Sequence, residues 1–450
     1  MYYFMQDLTQ GSITKHLVTM AIPIAIGMIV QTVYYLVDLY FVGQLGKVAL
    51  AGVNAAGNLA FVVFGMTQIL AVGTVALISK AVGEKDRKTS NIIFNQSIGI
   101  AFICGLVTLG AGYSFSINYL ETISDDAATI EQGLTYLYWF MPNLALQFAL
   151  VAMGSALRGT GIVKPAMIVQ LIGLGLNIIL SPILIKGWFT GIPMGVAGAG
   201  FASSISIAIA VVIMWHYFHK LERYVGVSKP LIRPQMTYWK KIIGIGFPAG
   251  GEFLLIFFYT AIIFWLIKGF GPSAQAGFGL GSRVMQAIFV PALALAFALP
   301  AVVGQNFGAK QKERVIQAFK STILLISLLL LLLAMMSIYF ADVLLTPFSE
   351  DAEVIAVGVL FLQIIAFNYI PSGIIFSCSG LLQGLGNTWP AFYSMASRLI
   401  LFVIPAVWAS KQPDFQIIHV WYLSVSTIVI QMLISLWLVK KEIIKKFRFN

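Results

Sequence analysis

The stretch 31–46, QTVYYLVDLYFVGQLG, lies in the first long apolar segment of the chain and contains a single acid, Asp38. No Lys or Arg occurs within seven positions on either side of it. A charge in a hydrocarbon segment costs about 2.5–3.5 kcal/mol on insertion scales, so it is tolerated when it faces a cavity, finds a partner or takes up a proton. Asp38 therefore predicts a proton or cation site in a transporter; the alternative is an interfacial acid that reaches water at a helix end.

The composition predicts an all-α polytopic membrane protein. The 450 residues are 59% hydrophobic and 10% charged, with a mean hydropathy of +0.90. A soluble protein cannot bury so much apolar surface. The net charge is +11, but in such a protein basic residues mark the cytoplasmic side and contact anionic lipid headgroups rather than nucleic acid.

Twelve apolar segments are long enough to cross a bilayer, which takes about 20 residues. They lie at 16–42, 48–79, 91–113, 128–155, 165–186, 195–218, 242–267, 275–303, 318–340, 353–380, 390–409 and 419–439. With the N-terminus placed inside, 22 of the 28 Lys and Arg residues fall on the inner side, 4 on the outer side and 2 within helices. This bias supports the helix count and predicts that both termini are cytoplasmic.

An internal repeat relates the two halves of the chain. A shift of 225 residues superimposes five landmarks without a gap. These are Pro23 on Pro248, Ala51-Gly52 on Ala276-Gly277, AVGEKD at 81–86 on NFGAKQ at 306–311, SDD at 124–126 on SED at 349–351, and ALRGTGIVKPA at 156–166 on LLQGLGNTWPA at 381–391.

The repeat predicts two parallel six-helix halves around a central cavity, which is a transporter architecture. We expect an N-lobe at 1–218 with helices 1–6, a basic cytoplasmic linker at 219–241, and a C-lobe at 242–450 with helices 7–12. Because the sequence contains no Walker A motif, ATP hydrolysis is not expected in this chain. We therefore expect a secondary transporter and not an enzyme.

Polar residues inside the first half indicate where the coupling site lies. Tyr34 stands one helical turn before Asp38 and shares its face. Asn177 is a lone amide in an apolar helix, with Ser181 one turn further on. We expect Asn177 either to join Asp38 around a cation or a protonated carboxyl, or to form an interhelical hydrogen bond. Pro23 allows a kink in helix 1 and is either a static bend or a hinge that responds to Asp38 protonation.

The second half has its own intramembrane charges. Glu252 lies near the middle of helix 7, and Arg283 lies in the next helix. They form either a neutralising ion pair or part of a C-lobe site that recognises cations. Arg398 has no acidic residue in its own helix, and we expect it to donate hydrogen bonds to main-chain carbonyls. Under the repeat none of these charges matches a like residue.

At this point the chain resembles the multidrug and toxic compound extrusion (MATE) family over nearly its whole length. The motifs that carry the resemblance are AIPIAIGMIVQTVYYLVDLYFVGQLG at 21–46, ALAGV at 49–53, LRGTGIVKPAM at 157–167, VGQNFGA at 303–309 and LQGLGNTWPA at 382–391. The resemblance implies cation-coupled antiport that exports amphipathic, often cationic compounds across a prokaryotic plasma (inner) membrane. It implies multidrug efflux, antibiotic resistance and no cofactor beyond H⁺ or Na⁺ as coupling ion; we expect a monomer among membrane lipids.

The resemblance also assigns roles to residues. In helix 1, Asp38, Tyr34 and Pro23 occupy the positions of the family's acid, tyrosine and proline. Asn177 occupies the position of the family's helix-5 amide, and a helix-6 hydroxyl falls near Ser203. Members with a well-formed Na⁺ site often have a second carboxylate where this chain has Ser181. Because Na⁺ prefers several oxygen ligands including charged ones, its absence favours H⁺ over Na⁺.

Other transporter classes fit less well. A lipid-linked oligosaccharide or polysaccharide flippase of the same superfamily is the main alternative, but only Arg283 and Arg398 are available to bind pyrophosphate. A major facilitator carrier would have a Gly…Asp-Arg-x-Gly-Arg loop between helices 2 and 3, which AVGEKDRKTSN at 81–91 does not match. A channel would need a selectivity-filter motif, which the sequence lacks. The subunit of an ATP-driven pump would need a partner.

Overall fold

The computed structural model describes residues 5–189, 191–220 and 224–448, and within these ranges it contains helices and no strand. The helices are α1 (Ile13–Gly43), α2 (Lys47–Gly83), α3 (Arg87–Ile123), α4 (Ala127–Gly159), α5 (Lys164–Lys186), α6 (Val196–Lys220), α7 (Lys229–Ile232), α8 (Met236–Ile267), α9 (Pro272–Gly308), α10 (Lys312–Tyr339), α11 (Ala341–Leu345), α12 (Ala352–Ile365), α13 (Tyr369–Gly384), α14 (Trp389–Ala409) and α15 (Ile417–Lys446). Short 3-10 turns occupy Lys268–Phe270, Thr346–Phe348 and Ala366–Asn368.

The predicted all-α fold with twelve spans is confirmed. Within the described ranges, 12 helices are long and apolar enough to cross a membrane; the tenth combines α12, a 3-10 turn and α13. Several helices extend beyond the predicted apolar segments, because polar residues at their ends continue the helix. The segment predicted as linker includes α7 and the first turns of α8.

The repeat is visible in the turn that follows α2 and in the turn that follows α9. Lys85 and Lys310 both adopt a left-handed backbone, with φ of 59° and 60°. In each turn the lysine amide donates to the carbonyl three residues back at 3.0 Å. The next amide, of Asp86 or Gln311, donates to the carbonyl five residues back at 2.9 Å. Two segments of different sequence therefore end their helices with the same bonds, as expected for a structural repeat.

The matched SDD and SED segments both start a helix. Asp126 accepts a hydrogen bond from the amide of Thr129 at 3.0 Å and caps α4. Asp351 accepts from the amides of Glu353 and Val354 and caps α12. A side-chain oxygen at this position satisfies amides that have no partner within the helix.

The matched Ala-Gly pairs mark close helix contacts. A Cβ added at Gly52 would lie 2.8 Å from the carbonyl oxygen of Thr129 in α4. A Cβ added at Gly277 would lie 2.7 Å from the equivalent oxygen of Val354 in α12. In a membrane, where lipid is as apolar as the side chains, such small residues let backbones approach and pack. Each half therefore repeats the same helix crossing.

The chain divides into two compact units. The N-unit contains Met1–Asp7 and Pro23–Gly246, and the C-unit contains Leu8–Ile22 and Phe247–Asn450. Their boundaries fall within α1, just before Pro23, and within α8, two residues before Pro248. Because proline removes a backbone hydrogen bond, both dividing points are weak places in their helices.

Hydrogen bonds to buried side-chain amides attach the segment that leads into α8 to the N-unit, and attach Leu8, before α1, to the C-unit. In the N-unit, Gln96 donates to the carbonyl of Arg233 at 2.8 Å and accepts from the Trp239 indole at 2.7 Å. In the C-unit, the Leu8 amide donates to the side chain of Gln305 at 2.9 Å, and the Asn306 amide donates to the Leu8 carbonyl at 3.1 Å. These bonds hold each segment to helices of its own unit.

Candidate functional site

A buried polar cluster joins three helices of the N-unit. Asp38 comes from α1, Asn177 from α5 and Ser203 from α6. Ser203 Oγ donates to Asp38 Oδ2 at 2.8 Å, and Asn177 Nδ2 donates to Asp38 Oδ1 at 3.2 Å. Asn177 Nδ2 also lies 3.4 Å from Ser203 Oγ. Asp38 is 5% exposed, whereas Asn177 and Ser203 are fully buried.

Tyr34 and Ser181 complete the cluster. The Tyr34 hydroxyl donates to the main-chain carbonyl of Ser203 at 3.4 Å, which ties α1 to α6 one turn from Asp38. Ser181 lies one turn after Asn177 on α5 and is fully buried. Ser181 Oγ and Asn177 Oδ1 have no hydrogen-bond partner among the described residues. The cluster therefore contains buried oxygens that can accept a further hydrogen bond or contact a cation.

Close helix packing positions Ser203. A Cβ added at Gly198, in the first turn of α6, would lie 2.6 Å from the carbonyl carbon of Leu184 in α5. A Cβ at Gly200 would lie 2.7 Å from the carbonyl oxygen of Tyr136 in α4. Two glycines thus let α6 approach both neighbours, and Ser203 follows within one turn. Ser203 was predicted only from the family resemblance. A serine is common in apolar helices, so its position alone does not indicate a site.

The Asp38 carboxyl accepts hydrogen bonds from neutral side chains and is not paired with a basic residue in the described ranges. An ion pair at the end of α2 joins Lys80 to Glu84 at 3.6 Å, but within the described ranges no basic residue lies within 4 Å of Asp38. A buried carboxylate without a cationic partner is costly, so the free energy of this site depends on a proton or a bound cation.

Pro23 lies in the interior of α1, which runs as one continuous helix from Ile13 to Gly43. A Cβ at Gly27, one turn later, would lie 2.2 Å from the Gln170 side-chain oxygen of α5. The helix thus approaches α5 closely just beyond the proline. A hinge at Pro23 stays a prediction.

In the C-unit, Glu252 has hydroxyl and amide neighbours. Ser379 Oγ lies 3.0 Å from Glu252 Oε2 and donates to it, and Gln383 Nε2 donates to Ser379 Oγ at 3.2 Å. Glu252 is half-buried and lines a cavity of about 40 Å³ that Cys378 also lines. Arg283 is exposed, and no ion pair joins it to Glu252. The neutralising pair is therefore not formed in the described part of the chain.

Arg398 donates to side chains, contrary to the expectation of main-chain carbonyls. Its Nη2 lies 3.2 Å from the Tyr259 hydroxyl and 3.5 Å from Ser424 Oγ. The guanidinium carbon stands 4.4 Å from the centre of the Tyr259 ring. The expectation was wrong because hydroxyls from α8 and α15 reach the mid-helix position, where the carbonyls of α14 are already engaged in helix bonds.

Comparison with known proteins decides the family. The MatE family model matches residues 23–183 and, a second time, residues 248–408. The two matched segments differ by the 225-residue shift of the internal repeat. The chain belongs to the MATE family.

Curated multidrug resistance and export proteins match this chain over most of their length. The probable multidrug resistance protein YoeA of Bacillus subtilis is 24% identical over 431 residues, which cover 92% of this chain and 91% of the relative. The probable multidrug resistance protein NorM of Thermotoga maritima is 26% identical, and the match covers 89% of this chain and 84% of the relative. The multidrug export protein MepA of Staphylococcus aureus is 24% identical, and the match covers 86% of this chain and 84% of the relative.

Solved structures show the same fold. An outward-facing multidrug resistance MATE transporter of the MOP superfamily has a TM-score of 0.91 and 22% identity, with full coverage of both chains. A MATE transporter in the bent conformation has a TM-score of 0.92 and 22% identity, covering 98% of each chain. The family match and the membrane-length apolar helices of the described ranges make the protein an integral protein of the bacterial plasma membrane and a multidrug transporter of the MATE type. The flippase alternative is not favoured.

Proposed function

We propose that this MATE protein is a secondary active antiporter that exports amphipathic, often cationic compounds in exchange for H⁺, with Asp38 as the residue that carries the proton. The observation that supports the proposal best is the buried polar group of the N-unit, which we call the Asp38 cluster: Asp38, Tyr34, Asn177, Ser181 and Ser203. Its carboxyl is buried, accepts two hydrogen bonds and has no cationic partner within 4 Å in the described ranges. Such a group loses its negative charge when it binds a proton and regains it on release. Because a buried charge is expensive, the two forms differ strongly in free energy.

The unpartnered oxygens support a protonated state. When Asp38 takes up a proton, its carboxyl becomes a donor. Asn177 Oδ1 and Ser181 Oγ are buried acceptors without partners, and both lie on the helix that faces Asp38. The protonated carboxyl can therefore donate a new hydrogen bond to one of these oxygens. The same oxygens are also potential Na⁺ ligands, which makes Na⁺ the second candidate.

Coupling requires that the two access states differ in proton affinity. A proton arriving from outside neutralises Asp38 and changes the bonds that tie α1 to α5 and α6. We propose that α1 then rearranges at Pro23, where its backbone already lacks one hydrogen bond. This movement lowers the affinity for the exported compound on the outer side. Both termini lie in the cytoplasm in this proposal, and the monomer is the working unit.

The test is dye efflux from proteoliposomes. A pH gradient and a Na⁺ gradient are imposed separately on wild type, Asp38→Asn and Asp125→Asn; the last removes an exposed loop acid. We expect the pH gradient to drive efflux in wild type and in Asp125→Asn. We expect Asp38→Asn, which is permanently neutral, to show only the leak of empty liposomes under either gradient. Efflux driven by Na⁺ alone would overturn the choice of H⁺, and active Asp38→Asn would overturn the role of Asp38.

A further inference from the structure

Arg398 is the one charged residue of α14 and stands at the middle of this helix. Around it lie Tyr259 from α8, Ser424 from α15 and Asn368 from the 3-10 turn before α13, all within the C-unit. These three neighbours are 8%, 3% and 5% exposed. We call these four residues the Arg398 cluster.

Hydrogen bonds connect the whole cluster. The Tyr259 hydroxyl and Ser424 Oγ are 2.8 Å apart. Ser424 Oγ also accepts from Asn368 Nδ2 at 3.1 Å and from Arg398 Nη2 at 3.5 Å, and the Tyr259 hydroxyl accepts from Arg398 at 3.2 Å. The hydrogen-bond partners of the guanidinium are thus neutral hydroxyls, one of which also accepts from the Asn368 amide.

The cluster has more donors than acceptors. A guanidinium has five N–H groups and cannot lose its charge in a protein. Arg398 Nε is buried and has no acceptor among the described residues. Asn368 Oδ1 also lacks a partner, while the NH2 of this amide donates to Ser424 Oγ. No group of the cluster therefore reaches Arg398 Nε as an acceptor.

It also lacks a negative charge. No carboxylate oxygen lies within 4 Å of Arg398 in the described part of the chain. The face of the Tyr259 ring attracts the guanidinium, but this attraction is weaker than the penalty for withdrawing an unpaired charge from water. Charged residues in membrane-spanning helices pair with another charge, a backbone carbonyl or a ligand, and among these an anionic ligand is the partner that Arg398 can still take up.

The internal repeat places this cluster where the N-unit has its acid. Tyr259 is the repeat partner of Tyr34, and α14 is the repeat partner of α5. Ser424 and Ser203 are each the eighth residue of the last long helix of their unit. A tyrosine and a serine thus accompany an acid in one unit and an arginine in the other.

We propose that the Arg398 cluster binds a small monovalent anion, either chloride or the carboxylate group of an amphipathic compound. The anion accepts hydrogen bonds from the guanidinium and lies beside the Ser424 hydroxyl and the Asn368 amide. This proposal does not depend on the coupling role of Asp38.

The first experiment measures stability of the purified full-length protein in detergent. Chloride is titrated against methanesulfonate at constant ionic strength, and the melting temperature is followed. An anion that binds only the folded state raises the melting temperature in proportion to the logarithm of its concentration once its dissociation constant is exceeded. We expect this rise in wild type and in Lys411→Gln, which removes a cation beyond the same helix. We expect it to be lost in Arg398→Gln and reduced in Arg398→Lys, which has no planar fork.

The second experiment needs no variant. Crystals of wild type grown in bromide are expected to show an anomalous peak at the Arg398 guanidinium. Displacement of bromide by a fluorescent amphiphile with a free carboxylate, but not by its methyl ester, identifies the anion as part of a substrate. Retention of bromide in the presence of both identifies a resident halide. No bromide peak together with no chloride effect in wild type would overturn the proposal, as would an unchanged chloride effect in a folded Arg398→Gln.

Discussion

The Asp38 cluster of the N-unit and the Arg398 cluster of the C-unit occupy related places in the repeat but have opposite charge. Each combines a tyrosine from the first helix of its repeat with a serine from the last. In the N-unit the charged group belongs to the first helix, whereas in the C-unit it belongs to α14. Phe402 stands at the repeat position of Asn177 and packs against Tyr259 with ring centres 4.7 Å apart. The repeat thus conserves the helices and their crossings, while the polarity of each site depends on a few side chains.

The two serines provide the strongest test of this comparison. Ser203→Ala removes a hydrogen bond to a buried carboxylate, which is worth about 1.5–3 kcal/mol, or about 10- to 100-fold in rate. We expect efflux driven by the pH gradient to fall by that factor, with the chloride effect on stability unchanged. Ser424→Ala is expected to do the reverse, weakening the chloride effect and sparing proton coupling. The measurement is both assays on both variants.

Equal losses of efflux in the two serine variants would contradict the division of roles. It would indicate that the two clusters act as one site.

The position of α6 provides the next test. Gly198→Ala places a Cβ 2.6 Å from the backbone of α5 and forces the helices apart. Overpacking of this kind costs about 1–3 kcal/mol, and here it would also draw Ser203 away from Asp38. We expect a lower melting temperature and slower efflux. Gly175→Ala on α5 is the matched control, because its Cβ would meet nothing within 4 Å.

Normal efflux in a destabilised Gly198→Ala would show that the Asp38–Ser203 distance does not limit coupling.

The two tyrosines sharpen the comparison. The Tyr259 hydroxyl contacts both Arg398 and Ser424, the latter at 2.8 Å, whereas the Tyr34 hydroxyl donates to a carbonyl at 3.4 Å. Removal of a hydroxyl from a paired buried group costs about 1–3 kcal/mol, and a long bond is worth less than a short one. We therefore expect Tyr259→Phe to lower the melting temperature more than Tyr34→Phe. The opposite order would contradict the view that Tyr259 helps to hold the half-buried charge of Arg398.

The repeated helix caps give the smallest expected effect. The Thr129 hydroxyl and amide lower the pKa of the Asp126 carboxyl from its ordinary value of 3.8. A lowered pKa stabilises the folded state above pH 3.8, and this contribution disappears as the pH falls through the lower, folded-state pKa. In a melting-temperature profile from about pH 3 to 7, the advantage of wild type over Asp126→Asn should shrink at the acidic end. A difference that grows on acidification would contradict the cap.

Sequence patterns predicted the helices well because twelve apolar segments and a 225-residue repeat are long-range signals. They identified Asp38 and Asn177, since a lone acid or amide stands out among apolar residues. They did not identify the partners of Glu252 and Arg398, since serine, tyrosine and glutamine are common in helices and reveal a site only in three dimensions. The match of Tyr34 to Tyr259 was available from the repeat but is informative only beside the charges. Ser424 was hidden because α15 begins four residues earlier than the 225-residue shift from α6 predicts.

Proton release on substrate binding tests the central claim most directly. A cationic dye is added to the purified protein in weakly buffered solution across the physiological pH range, and the released protons are counted for wild type and Asp38→Asn. If the proton on Asp38 and the exported compound oppose each other, binding of one must displace the other. We predict that wild type releases up to one proton per bound dye and that Asp38→Asn binds dye without releasing any. Equal release from both proteins, or none from wild type at any pH, would contradict the assignment of Asp38 as the proton carrier.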